Sequence, residues 1–398
     1  AEVPGSADAI SGRAWSLYSL GRDADARAAF TAMGEDGYYG LALIENRAGN
    51  IDAAVDLLSR TGRADLLWLA TGLLEARDRY TASLPIYLRL ARGGSVYADD
   101  SAYRAIVLGR RLGRDDVVTE ATALLRPGNF FGMLLGHDVS VPDLASAPAI
   151  GNELSPATSA ALDLATALYV VNEHEAAVGE LLLALIAAER AGGQQADVLA
   201  LIEMLQGMGE YRQSSRAARE LLSAGVNDAR AWYGAYPAAW PREVMSASAA
   251  EGVEPALVWA IMRQESAFFP DAVSVANAQG LMQVIPSTWN WIAELMREQP
   301  REPFEPEANI AYGTHYLAWL TRYFSGDIEL VIASYNGGQG YVRRLFEADH
   351  VGQVKDEFYR EIDRSETREY LQRVSENLAV YRALYGEGGA ALADLNGN

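Results

Sequence analysis

The chain has 398 residues, half of them apolar, a formal charge of −20 and no cysteine. That length and apolar content can bury more than one core. The acidic balance is spread almost evenly about Tyr236 and offers no basic face to nucleic acid or an anionic membrane. The missing cysteine excludes disulfides, thiolate catalysis and thiolate zinc sites.

From Ser6 to about Ala235 the sequence is rich in Ala and Leu, with apolar residues three and four apart and few β-branched runs, which predicts helix throughout. A loose phrase recurs: a turn residue, polar residues, then Ala and an apolar pair. It stands at Gly21-Arg22-Asp23-Ala24-Asp25-Ala26 and Gly49-Asn50-Ile51-Asp52-Ala53-Ala54, with weaker copies beginning at Asp78, Gly113, Asn172 and Gly209. Most intervals are roughly 28 to 37 residues, the period of helix-turn-helix repeats stacked into a solenoid. Residues 1–235 therefore resemble a degenerate tetratricopeptide-like array. No catalytic constellation is visible in it, and tyrosines such as Tyr87 and Tyr103 read as repeat packing in preference to a sugar-binding face. Prolines 127, 142, 148 and 156, with several glycines, predict a break in the array near 127–156. Tyr236-Pro237-Ala238-Ala239-Trp240-Pro241 is a firmer interruption, and a second domain, 236–398, is placed after it.

That second domain opens on Pro255–Ser266, which predicts a helix with Pro255 in its first turn and no breaker after it. At about 100° per residue, Val258, Ile261 and Met262 share a side with Glu265, and a continued helix would add Phe268 and Phe269. A carboxylate on an apolar face loses stability in its charged form, so its pKa rises toward the range of a general acid at neutral pH. From this helix alone, a structural Glu paired with a distant arginine is an equal reading.

Next comes a loop of small residues, Asp271 to Gln283, leading into Val284-Ile285-Pro286. Pro306–Leu317 predicts another helix start, and Ile332–Gly340 a helix running into a glycine loop. Glu265-Ser266, Gly280-Leu281-Met282-Gln283 and Ser334-Tyr335-Asn336-Gly337-Gly338, in this order and spacing, resemble the soluble lytic transglycosylase family, whose catalytic domain is similar to goose-type lysozyme. The resemblance covers about Tyr236 to Tyr385. It extends to Tyr236-Pro237-Ala238-Ala239-Trp240, to Asn309, Gly313, Tyr316 and Leu317, and to Ser365-Glu366-Thr367-Arg368-Glu369-Tyr370. Members of this family also join the domain to a superhelical α-domain. The fold expected is thus mainly α: an α-solenoid followed by a lysozyme-like, predominantly α catalytic domain.

The resemblance implies non-hydrolytic cleavage of the β-1,4 bond between N-acetylmuramic acid and N-acetylglucosamine in peptidoglycan, giving 1,6-anhydromuramoyl products. Glu265 matches the single acid/base. Ser274 and Gln283 match groups near the sugar's acetamido substituent, Met282 a wall of the cleft, Tyr335 a hydrogen-bonding group near the reacting centre, and Asn336 a shaper of its loop. Glu361 stands in Arg360-Glu361-Ile362-Asp363-Arg364 where family members commonly read Glu-x-Ile-Pro or Glu-Glu-Ile-Pro; a cleft-lining role carries over to it, and a surface glutamate is an equal reading. Asn277 stands where the family has Gly, a substitution a left-handed backbone tolerates.

The residues also speak to the chemistry directly. Ordinary glycosidases place two carboxyl groups about the bond, yet no Asp or Glu lies between Asn277 and Ile292 or between Leu330 and Phe346. His137, His174, His315 and His350 lack metal-ligand spacing and no loop resembles a calcium site, so neither cofactor nor metal is expected. Two other readings remain: a goose-lysozyme-like muramidase that hydrolyses the same bond, and an envelope scaffold that only holds glycan. The partners expected are peptidoglycan strands and, through the helical array, other cell-wall enzymes. No apolar run is long enough to span a bilayer. The substrate implies export to the periplasm or cell envelope; Ala1-Glu2-Val3-Pro4-Gly5 has no basic and apolar export signal, so the chain reads as a mature product.

Overall fold

The computed structural model describes residues 7–126, 128–143, 154–192, 194–347, 358–359 and 361–386. Among these residues the regular structure is helical, apart from isolated antiparallel bridges that pair Val273 with Gln279 and Gln279 with Val284. The expected mainly α architecture is what is found. The chain divides into two compact units, Ala1–His137 and Asp138–Asn398. Of the break predicted near 127–156, residues 127 and 144–153 lie outside the described residues.

The first unit runs through α1 (Ala7–Ser19), α2 (Asp23–Ala32), α3 (Tyr38–Arg47), α4 (Ile51–Arg60), α5 (Ala64–Glu75), α6 (Tyr80–Arg92), α7 (Ala98–Leu112), α8 (Asp115–Leu124) and the short α9 (Phe130–Leu134). Each helix packs mainly on its neighbours in sequence, as a solenoid requires. The recurring phrase has a physical cause. Its first residue is left-handed in all six copies, with φ of 71° at Gly21, 79° at Gly49, 55° at Asp78, 65° at Gly113, 67° at Asn172 and 84° at Gly209. That conformation turns the chain at a helix C-terminus. Five residues on, a small side chain is fully buried where two helices meet: Ala26, Ala54, Ser83, Ala177 and, in the last copy, Ser214. Only such residues let the axes approach closely. The copy at Gly113 buries Val117 instead. Tyr87 and Tyr103 are buried, in keeping with packing.

In the second unit, α10 (Pro156–Val170), α11 (His174–Arg190), α12 (Gln195–Gly207), α13 (Tyr211–Ser223) and α14 (Ala229–Ala235) continue the helical hairpins around Leu181, Leu185, Leu201, Ile202 and Leu205. Then follow α15 (Pro241–Glu251), α16 (Pro255–Glu265), α17 (Pro286–Met296), α18 (Pro306–Tyr323), α19 (Ile328–Gly337), α20 (Gln339–Glu347) and α21 (Ser365–Tyr385). Between the two groups lies Tyr236-Pro237-Ala238-Ala239-Trp240, a stretch in which the Tyr236, Pro237 and Ala239 carbonyls are satisfied from outside their own segment. Aromatic donors from α16 and α21 satisfy them. The Trp259 indole donates to Ala239 O at 2.8 Å, the Tyr381 hydroxyl to Pro237 O at 3.2 Å and the Tyr385 hydroxyl to Tyr236 O at 2.8 Å. Arg263 donates to Ala235 O at 3.1 Å and lays its guanidinium over the Tyr236 ring at 4.0 Å. These bonds fix α16, and therefore its last residue, against the rest of the unit.

Candidate active site

Glu265 is the final residue of α16. Pro255 to Met262 are all buried, so the helix is held on nearly every side, and Arg263 reaches across to Asn377 Oδ1 on α21 at 2.9 Å. The helix stops at Glu265, close to the predicted end at Ser266, so the continuation that would have added Phe268 and Phe269 to its face does not occur. Ala267 and Phe268 are left-handed, with φ of 49° and 66°, and turn the chain sharply. Two such residues in a row cost about 1–2 kcal/mol each. Burial of Phe268, 1% exposed, and the stacking of the Arg212 guanidinium over Phe269 at 3.8 Å hold the turn in place. The turn leaves Glu265 at a helix C-terminus, where the backbone dipole further disfavours negative charge.

The loop after this turn is built by three short segments joined at Gln279, which bridges to Val273 on one side and Val284 on the other. Asn277 takes φ of 60°, the left-handed backbone expected there. Gly280, at φ of 77°, has no room for a Cβ against the Asn309 amide and Pro303 O. Asn309, fully buried, knits this crossing: Oδ1 accepts from the Met282 N–H at 2.7 Å, and Nδ2 donates to Pro303 O at 2.7 Å and Gln279 O at 3.1 Å. Ser266 Oγ donates to Leu281 O at 2.8 Å and so joins the acid's helix to the loop.

A cavity of about 430 Å³ opens beside this loop. Of the residues singled out from the sequence, it brings together Glu265, Ser274, Gln283, Tyr335 and Asn336. Much of their polar capacity is already engaged with the protein. Ser274 Oγ accepts from the Ala278 N–H at 3.0 Å, and Gln283 Nε2 donates to Gly280 O at 2.8 Å and Ala272 O at 3.0 Å. The Tyr335 hydroxyl donates to Met282 O at 2.8 Å, so the tyrosine from α19 pins the loop while its ring faces the cavity. Asn336 Oδ1 accepts from Thr367 Oγ1 at 2.8 Å. Met282 is fully buried beneath the loop, its thioether packed against Gly313 of α18, and Glu361 is exposed; neither lines the cavity.

The cavity also holds residues to which sequence reasoning gave no role: Thr288, Tyr316, Gln339 and Glu366. Beside them, the Tyr370 hydroxyl donates to Glu265 Oε1 at 2.6 Å. Glu366 and Tyr370 belong to the Ser-Glu-Thr-Arg-Glu-Tyr stretch, four residues apart on one face of α21. That spacing was the available signal. No arginine pairs with Glu265 among the described residues, which removes the ion-pair reading left open by the helix alone.

Burial raises the Glu265 carboxyl to about 7, the Tyr370 hydrogen bond works against that rise, and the Glu366 charge adds to it. Burial and the nearby Glu265 charge push the Tyr335 and Tyr370 hydroxyls well above the usual tyrosine range, and burial takes Tyr316 to about 12. All three remain donors at neutral pH. The arrangement is one carboxyl able to give and take a proton near pH 7, inside a cleft walled by tyrosines, with a second carboxylate on the rim. Among the described residues no group of three or more His, Asp or Glu side chains is placed to hold a metal.

Residues 243–356 match the family model of the transglycosylase SLT domain. Membrane-bound lytic murein transglycosylase C of Serratia proteamaculans is 38% identical over 162 residues, which cover 35% of this chain and 45% of the relative. Its counterpart in Yersinia pestis is 41% identical over 118 residues, 27% of this chain and 33% of the relative. The chain thus spans less than half the length of these curated relatives. An inactive mutant of lytic transglycosylase Slt from Pseudomonas aeruginosa superposes with a TM-score of 0.61 at 20% identity, covering 94% of this chain and 66% of the other. A 70-kDa soluble lytic transglycosylase in complex with bulgecin A gives 0.63 at 19%, covering 96% and 64%. At that identity the two structures speak for the fold alone.

Proposed function

We propose that this chain, which carries a transglycosylase SLT domain over residues 243–356, is a peptidoglycan lytic transglycosylase that cleaves the β-1,4 bond between N-acetylmuramic acid and N-acetylglucosamine without water. The observation that carries the reading is Glu265 itself: a largely buried carboxyl at the end of α16, raised to about 7, lining the cavity without an ion-pair partner among the described residues.

In the proposed reaction protonated Glu265 gives its proton to the glycosidic oxygen as the C1–O bond breaks, and the oxocarbenium character that develops is stabilised by the carboxylate left behind. The muramoyl C6 hydroxyl then attacks C1. Glu265 takes that hydroxyl's proton and is restored, and the product is a 1,6-anhydro ring. Tyr370 holds the carboxyl's orientation throughout, and Tyr335 keeps the loop bearing Ser274 and Gln283 in place for the sugar's acetamido and neighbouring groups. Met282 supports this wall from beneath, Asn336 shapes the glycine loop, and Glu361 contributes from outside the cavity.

We assign residues 1–235 to a helical array that supplies surface for glycan and for other cell-wall enzymes, and 236–398 to the lysozyme-like domain. The substrate places the protein in the periplasm or cell envelope. No helix among the described residues is long and apolar enough to cross a membrane.

A second reading has one observation in its favour. Glu366 lines the same cavity, and a second carboxylate can position water for hydrolysis, the muramidase reading. Both readings require Glu265. Incubating purified peptidoglycan with the protein and with Glu265→Gln, and following soluble muropeptides, tests that shared requirement: release is expected from the parent alone, and undiminished release by the variant would overturn it.

A further inference from the structure

Three helices each contribute a residue to the cavity and, about one turn later, an aromatic or cationic residue that carries the same wall outward. On α17 Thr288 is followed by Trp291, on α18 Tyr316 by Trp319 and Tyr323, and on α20 Gln339 by Arg343. The contacts confirm that these residues form one surface. Trp291 meets Tyr316 edge-on at 6.2 Å between ring centroids and Trp319 edge-on at 5.0 Å. Tyr316 and Trp319 lie within 16° of parallel at 6.3 Å, Trp319 and Tyr323 within 22° at 5.0 Å, and the Arg343 guanidinium sits over Tyr323 at 5.2 Å. Tyr316, Trp319 and Tyr323 stand at i, i+3 and i+7, a single stripe about 10 Å long at 1.5 Å per residue.

Trp291, Trp319 and Tyr323 are only half-buried. Core aromatics at these positions would be covered, as Trp259 and Tyr312 are in the same unit. Nearly parallel rings whose centroids are this far apart are offset, not sandwiched. Trp291, Trp319 and Tyr323 therefore keep part of their surface in solvent, while Tyr316 is covered at the cavity end of the row.

We propose that this row is a stacking platform for sugar residues of the glycan strand beyond those held in the catalytic cavity. The proposal rests on the transglycosylase reading and extends it. A pyranose ring presents C–H groups on its faces and hydroxyls at its rim. A half-buried aromatic row takes the apolar faces, while water and the Arg343 guanidinium meet the polar rim and the carbonyl or carboxylate groups it carries. The occupant is the same strand that enters the cavity, because Tyr316 belongs to both surfaces.

Binding of defined chitooligosaccharides to the full chain carrying Glu265→Gln, which keeps the cleft and prevents turnover, separates the two ideas. Calorimetric titration with the trimer and the hexamer gives the gain in affinity from added length. In the parent the hexamer is expected to bind about tenfold more tightly than the trimer, a difference of one aromatic contact. With Trp319→Ala or Tyr323→Ala that gain is expected to vanish while trimer affinity is unchanged, and Trp319→Phe is expected to retain most of it. Far-ultraviolet circular dichroism of each variant guards against misfolding, and Tyr323→Ala, at the outer end of the row, repeats the test where Trp319→Ala perturbs packing. An equal length gain in Tyr323→Ala, Trp319→Ala and parent would overturn the platform while leaving the cleft reading standing. Failure of the parent to bind either oligomer would overturn the glycan reading and the platform together.

Discussion

The hydroxyl of Tyr370, on α21, donates a 2.6 Å hydrogen bond to Oε1 of Glu265, at the end of α16, across 105 positions of sequence. In the proposed mechanism Glu265 cycles between charged and neutral forms, and this donor biases that cycle. The bond favours the carboxylate and offsets part of the rise that burial imposes. Tyr370→Phe should therefore raise the Glu265 pKa above about 7 and free the carboxyl to rotate. The expected result is a fall in kcat/KM of roughly tenfold with the alkaline limb of the pH profile displaced upward. An unmoved limb would mean that the hydrogen bond does not report on the titrating group.

Glu366 acts in the opposite sense. Its charge adds to the rise at Glu265, so Glu366→Gln should lower the Glu265 pKa and bring the alkaline limb down. The two variants thus move one limb in opposite directions. Peptidoglycan digestion rates from pH 4 to 9 measure both, and a total loss of activity in Glu366→Gln would instead give Glu366 a direct part in the reaction.

The position of the acid was legible in the sequence because a Glu aligned with Val258, Ile261 and Met262 contradicts the ordinary segregation of charge from core. The turn after it was not. Ala267 and Phe268 have no preference for left-handed backbone, and burial of Phe268, the cation over Phe269 and the Phe269 N–H bond to Ser266 O hold the conformation. The loop motifs were visible as chain segments, but the role of each side chain was set by partners far away: Gln283 and Tyr335 spend their donors on loop carbonyls, and Met282 lies beneath the surface it was expected to wall. The helical repeats could be read because a left-handed turn residue and a small buried residue five positions later recur in the sequence itself. Glu366 and Tyr370 were inside a recognised stretch, yet only the packing of α21 on α16 brings them to Glu265.

A raised carboxyl pKa also affects stability. The unfolded chain loses the Glu265 proton near 4.5 and the folded chain near 7, so between these values the folded state binds more protons and stability falls as pH rises. Above pH 7 the full penalty applies, roughly 3 kcal/mol. Glu265→Gln removes the charge and should stabilise the fold by about that amount at pH 8 and by little at pH 4. Urea unfolding at the two pH values checks this; an equal effect at both would place the carboxyl in a solvated environment.

Gly313 faces the Met282 thioether with no space for a methyl group. Gly313→Ala should push Met282 and its loop outward, lowering stability by about 1–3 kcal/mol. Activity should fall further than stability accounts for, because the displaced loop carries Gln283 and receives the Tyr335 hydrogen bond. Thermal unfolding beside turnover at a temperature where the variant is folded separates the two effects, and full activity in the folded variant would contradict this account of the loop.

The most direct test of the central claim is the mass of the sugar ends released from peptidoglycan. Muropeptides released from purified peptidoglycan by the protein, and by Glu265→Gln, are to be compared by mass spectrometry with those released by a hydrolytic muramidase. The account predicts muramoyl ends one water lighter than the muramidase products, from the parent only. Full-mass reducing ends would contradict it and assign Glu265 and Glu366 to hydrolysis.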